Sequence, residues 1–180
     1  MIATLQWAPS LVREIPNGRY NELREARVGV MIHYDASSTD AGALAWFAHP
    51  DCRVSYNWLV LDDGGYVTIA PHGKRAWHAG VCRPSGPPLA YRDANSAFYG
   101  IAAATNETHD VTPLQLATIA WLARRCFDAE GWLVTDTWRI VGHRTEAWPR
   151  GRKPDPEGPS LTNPIFSPAD VRQLLGRIVL

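Results

Sequence analysis

The chain has 180 residues, about 1.2 times the usual 150 or so per domain, which predicts one domain with a core of its own. At 46% hydrophobic and 20% charged it has an ordinary globular composition, so wholesale disorder is excluded. Eighteen Lys+Arg balance eighteen Asp+Glu, which argues against a nucleic-acid partner, and no uninterrupted apolar span argues for membrane insertion.

The N-terminal stretch Met1 to Trp7 lacks the basic start and long apolar run of a signal peptide, which predicts a cytoplasmic protein, at least at first. Val28 to Tyr34 reads as a buried strand ending in a polar cluster. Ser38-Thr39-Asp40 then offers an N-cap for a short helix, Ala41 to Phe47, stopped by Pro50. Two β-rich runs, Ser55 to Leu61 and Tyr66 to Ala70, flank Asp62-Asp63-Gly64-Gly65 and predict a hairpin. Phe98 to Thr105 and Trp138 to Val141 predict two further short strands.

The clearest helix start is Thr112-Pro113-Leu114-Gln115, with a capping Thr, Pro at the first helical position and Gln three residues on. Leu116, Ile119, Ala120 and Ala123 recur behind it at helical spacing, which predicts a face packed on the sheet. Ser167-Pro168-Ala169-Asp170 repeats the start signal for a C-terminal helix carrying Val171, Leu174 and Leu175. Pro and Gly cluster in two loops, Arg83 to Pro88 and Pro149 to Pro159, but no linker separates two apolar blocks. The fold class expected is α/β: residues 1–180 form a single domain, a central mixed β-sheet flanked by α-helices.

Cys52, Cys82 and Cys126 are an odd, widely spaced set without a Cys-x-x-Cys pair, so reduced, mostly buried thiols are expected. Of six histidines, His49, His72 and His109 read as surface or satisfied core residues. His33 and His143 differ, because each ends an apolar strand-like run where loops present side chains to ligands. Asp155 follows His143 by twelve residues. Two imidazoles and a carboxylate would supply three ligands to Zn²⁺ and leave a fourth position for water, the arrangement of a catalytic site. The spacing alone does not force the three together.

Several stretches, in order, resemble the N-acetylmuramoyl-L-alanine amidase family that includes peptidoglycan recognition proteins and small phage amidases. They are Met31 to Ser37, Val54 to Val60 with Asp63-Gly64, Arg75-Ala76-Trp77-His78-Ala79-Gly80, and Val141-Gly142-His143 followed by Arg152-Lys153-Pro154-Asp155-Pro156. They span residues 28–159, and their order is more specific than any one of them. The resemblance implies the fold of the peptidoglycan recognition proteins and one Zn²⁺ per chain held by His33, His143 and Asp155. It implies Lys153 as the group that stabilises the developing oxyanion, with a solvated loop lysine as its plain alternative.

The cytoplasmic branch of that family, which recycles wall fragments, carries a glutamate in the strand after its Gly-Ile pair. Here the strand reads Gly100-Ile101-Ala102-Ala103-Ala104-Thr105, without a carboxylate. The phage branch uses a tyrosine on the central hairpin, and Tyr56 falls there, as catalytic phenol or as a plain sheet aromatic. His78 matches a cleft histidine and reads as a muropeptide contact rather than a fourth ligand. Trp77 reads as packing or as a groove wall. Arg152, with Arg144 and Arg150, reads as a partner for peptide-stem carboxylates or as part of a solvated loop. The resemblance thus implies hydrolysis of the bond between the lactyl group of N-acetylmuramic acid and L-alanine, in peptidoglycan or muropeptides. A phage or prophage endolysin without a separate wall-binding domain is the favoured role, and a monomer the favoured state. A recycling amidase and a non-catalytic recognition module are the alternatives.

Overall fold

The computed structural model describes residues 8–15, 18–157, 166–178 and 180; Met1 to Trp7 and the end of the Pro149 to Pro159 loop lie outside them. In chain order the elements are β1 (Leu11–Glu14), β2 (Tyr20–Asn21), β3 (Gly29–Tyr34), α1 (Asp40–Ala48), β4 (Trp58–Val60) and β5 (Tyr66–Thr68). They continue with β6 (Arg75–Ala76), α2 (Ala94–Ala97), β7 (Phe98–Ala103), α3 (Pro113–Glu130), β8 (Ile140–Gly142), α4 (His143–Glu146) and α5 (Pro168–Leu175). Six strands form one mixed sheet in the order β1-β5-β4-β7-β3-β8, and β2 pairs with β6 separately. Within the large sheet only β4 and β5, the expected hairpin, run antiparallel.

The central strand β3 is buried along its whole length, as befits a parallel strand covered on both faces. Its alternate residues Val30, Ile32 and Tyr34 join Tyr99 and Ile101 of β7 under α3 and α5, where Ile119, Leu122, Phe127, Val171 and Leu175 pack. The opposite face of the sheet receives α1 through Ala43 and Phe47, and the α2 region through Ala94, Ala97 and Phe98. Met31 points to this second face, and so does His33 two residues on. A mixed α/β domain with a central sheet flanked by helices is what the sequence predicts.

The helix starts are as expected. Thr112 and Gln115 form a reciprocal capping box, and Gly131 ends α3 in the left-handed region at φ 67°. One strand differs. Trp138 lies in a tight 3₁₀ turn, Thr137–Arg139, and the strand begins only at Ile140. Arg139 draws the chain into that turn: it pairs with Asp136 and donates to the carbonyl of Val28. All three cysteines are free, Cys52 and Cys126 buried and Cys82 half-buried. No described helix is long and apolar enough to cross a membrane.

Candidate metal centre

Strands β3 and β8 are parallel neighbours with Ile32 in register with Gly142. The next residues, His33 and His143, therefore leave the sheet side by side at its carboxyl edge, where α/β folds place their ligands. Gly142 is the last residue of β8 and His143 the first of α4, so this histidine opens a helix rather than ending a strand. The loop after α4 returns, its Asp155 carbonyl accepting from the Arg144 N–H at 2.6 Å, and delivers the Asp155 side chain between the two rings. Oδ2 of Asp155 lies 2.8 Å from Nδ1 of His33 and 3.1 Å from Nδ1 of His143. All three side chains are buried.

Proton bookkeeping shows what this cluster can hold. The carbonyl of Ala79 can only accept, so Nε2 of His143, 2.8 Å away, carries that ring's proton. The carbonyl of Phe98 likewise assigns the proton of His78 to Nε2 at 3.2 Å, leaving Nδ1 of His78 to accept from Nε2 of His33 at 2.9 Å. Both Nδ1 atoms are thus bare, and both face a carboxylate oxygen that also offers only lone pairs. Three acceptors in contact repel one another unless a cation stands among them.

A proton is disfavoured in that place. Burial pulls His33 down to about 4 against the opposing pull of Asp155, and pulls His78 well below its ordinary value. Burial alone would raise the Asp155 pKa, but the adjoining His143 and His33 rings outweigh it and hold the carboxyl below the usual range. The three ligand atoms lie within 4.8 Å of one another. Donors around a tetrahedral zinc stand roughly 3.4 Å apart, so this His₂Asp set fits such an ion with slight opening.

Around this core, Tyr56 sits with its ring 5.0 Å from that of His33, held from behind by Phe47 at 5.6 Å. Burial, then the charges of Asp155 and Asp35, push its phenol well above the ordinary value, so it keeps its proton. Beside His33 in register is Ala102 of β7, a bare methyl on the same face. Lys153, half-buried, lines a cleft of about 420 Å³ with Arg53, Trp77, His78, Gly80 and Arg152.

Trp77 is both packing and wall: its Nε1 donates to Asn21 while the residue lines the cleft. Arg152 donates from Nη2 to the carbonyls of Ala79 and Val81 and from Nε to that of Trp148, which braces the cleft wall. His78 also lines the cleft, yet both its nitrogens are engaged behind His33. The sequence predicts a muropeptide contact at His78; one made through those nitrogens would break the bonds that orient His33, a candidate ligand. The other histidines stand apart: His49, His72 and His109 are exposed, and the His72 ring lies tilted against Tyr99 with centroids 4.6 Å apart.

Two residues went unseen in the sequence. Asn95 accepts from two backbone N–H groups beside His78, and Gly100 leaves room for its ring. An Asn or a Gly carries no local signal for such a role.

Comparison with known proteins agrees with this geometry. The family described as N-acetylmuramoyl-L-alanine amidase matches residues 25–158. A comparison with curated protein sequences finds no match. Among solved structures, a selenomethionine AmpD derivative superposes at a TM-score of 0.72 with 26% identity, over 97% of this chain and 99% of that one. AmiD from E. coli, in complex with anhydro-N-acetylmuramic acid-L-Ala-D-gamma-Glu-L-Lys, gives 0.58 and 21% over 76% of this chain and 56% of that one. A mutant endolysin from Bacillus subtilis gives 0.55 and 22% over 76% and 85%. The family match extends from just before β3 to just past Asp155, and so takes in every residue of the cluster: this chain belongs to the N-acetylmuramoyl-L-alanine amidases, a family of hydrolases.

Proposed function

We propose that this amidase is zinc-dependent, with His33, His143 and Asp155 as ligands, and that it cleaves the bond between the lactyl group of N-acetylmuramic acid and L-alanine as a phage or prophage endolysin. The observation that carries the zinc reading is the meeting of two bare Nδ1 atoms with one carboxylate oxygen. When bound, the ion supplies an activated water and polarises the scissile carbonyl. The protein's own groups do the rest. The protonated Tyr56 phenol donates a hydrogen bond that orients water or meets the developing oxyanion. The Lys153 ammonium, tethered two residues from Asp155 at the cleft edge, adds positive charge where that oxyanion forms. Trp77 and Arg152 form the wall along which the muropeptide lies.

The endolysin role rests on Tyr56 beside His33 and on Ala102 in the register position next to it, where a carboxylate would be needed for the recycling type of site. The alternative role is cleavage of soluble anhydro-muropeptides, and the fragment bound to AmiD is the observation in its favour. Metal analysis, product analysis and a pair of rate assays test these readings. Metal analysis should give close to one zinc per chain, and digested walls should release new L-alanine amino termini. Rapid clearing of purified walls with slow turnover of a soluble anhydro-muropeptide supports the endolysin; the reverse order of rates supports recycling.

A further inference from the structure

The remote nitrogens of both candidate ligands end on one dipeptide. Nε2 of His33 donates to Nδ1 of His78, and Nε2 of His143 donates to the carbonyl of Ala79. This dipeptide follows β6 in irregular backbone, with no sheet ladder to hold it. Arg152 and Cys82 reach the Ala79 carbonyl, but one atom takes both of the dipeptide's backbone N–H groups: Oδ1 of Asn95 accepts from the N–H of His78 at 2.9 Å and from that of Ala79 at 2.8 Å. Both partners are donors, so the amide must present its oxygen. Asn95 is 9% exposed and lies on α2, behind Asp93, whose carboxylate caps the Asn95 N–H and pairs with Arg75 at 2.6 and 3.1 Å. It touches neither metal ligand.

We propose that Asn95 is a positioning residue for both imidazoles. Through one amide oxygen it fixes the His78-Ala79 dipeptide, which selects the Nε2–H tautomer of each ring and turns both Nδ1 lone pairs toward Asp155. This rests on the reading of the cluster as a zinc site. Removing the oxygen leaves two buried N–H groups without a partner and lets both rings lose their orientation together. Groups that orient metal-bound histidines act on affinity for the ion, and that is where the effect appears.

The test is a zinc titration of the metal-free full chain against a chromophoric chelator, with far-UV circular dichroism to follow the fold. Asn95→Ala should bind zinc roughly 10- to 100-fold more weakly than the parent, whereas Asn95→Asp, which keeps an acceptor oxygen, should stay within about threefold. An alanine variant that binds as tightly as the parent overturns the assignment, and so does an equal loss in both variants. Should the alanine variant fail to fold, Asn95→Ser, too short to reach both amides, is read in the same way. A parent that takes up no zinc overturns the metal reading and this assignment together; a zinc-binding parent matched by its alanine variant overturns this assignment alone.

Discussion

Gly100 offers the imidazole of His78 a bare stretch of backbone: a Cβ there would stand 2.7 Å from Cγ and 3.0 Å from Nδ1 of the ring. The same ring holds Nε2 of His33, so space on β7 is tied to the orientation of a candidate ligand on β3. Gly100→Ala must therefore displace His78 or the strand, at a cost of about 1–3 kcal/mol. Zinc affinity, measured by chelator competition, should fall roughly tenfold or more. Unchanged affinity would show that His78 does not govern His33.

The metal-free protein should lose stability as pH falls from about 6.5 toward 4. Burial depresses the folded-state pKa of His33 to about 4, so between those values the unfolded chain binds more protons at this residue. Stability is then present above the ordinary histidine value and lost on acidification, by roughly 3 kcal/mol across the window. Asp155 acts in the same sense at lower pH, because its folded-state pKa also lies below the ordinary one. Urea midpoints of the chelator-treated protein at pH 7, 5.5 and 4.5 check the sign. A His33→Ala protein should show a shallower slope.

Tyr56→Phe removes the donor beside His33 while keeping the ring that packs on Phe47. The rate of wall digestion should drop roughly 10²-fold with zinc content unchanged. Full activity would return Tyr56 to a packing role.

Lys153→Ala should lower kcat roughly 10²- to 10³-fold, the usual worth of one oxyanion-stabilising group, with little change in KM. A rise in KM alone would make Lys153 a substrate-binding cation instead.

Thr112→Ala removes one half of the capping box of α3 and a hydrogen bond to the Asp62 carbonyl. The expected loss is about 1 kcal/mol, or roughly 2–4 °C in Tm, without effect on zinc affinity. This separates scaffold stability from the metal centre.

Strands β3, β4, β5 and β7 and helices α1, α3 and α5 were legible because each announces itself within a few residues. Thr112 with Pro113 and Gln115 is enough to start a helix, and Asp63-Gly64 enough to turn a hairpin. Strands β1, β2 and β6 were not legible. β1 is exposed along its length at the sheet edge, and β2 and β6 have two residues each, too few for a period to show. Trp138 looked like strand because the reason it turns lies at Val28, over a hundred residues away. His78 lines the cleft as its motif suggested, but the motif cannot say that both its ring nitrogens are taken up behind His33.

Local chemistry was enough to settle the order of the longer elements and the class of the fold, and the resemblance to the amidases named the side chains that could donate to a metal. Local signals act over a turn or a strand, and caps, alternation and glycine turns are all of that range. The convergence of those donors was decided elsewhere, by the pairing of Ile32 with Gly142, which sets two distant histidines side by side. So were their tautomers, chosen by Phe98 and Ala79 carbonyls and by the single oxygen of Asn95. Those contacts join residues far apart along the chain, and only closure of the sheet brings them within hydrogen-bond reach.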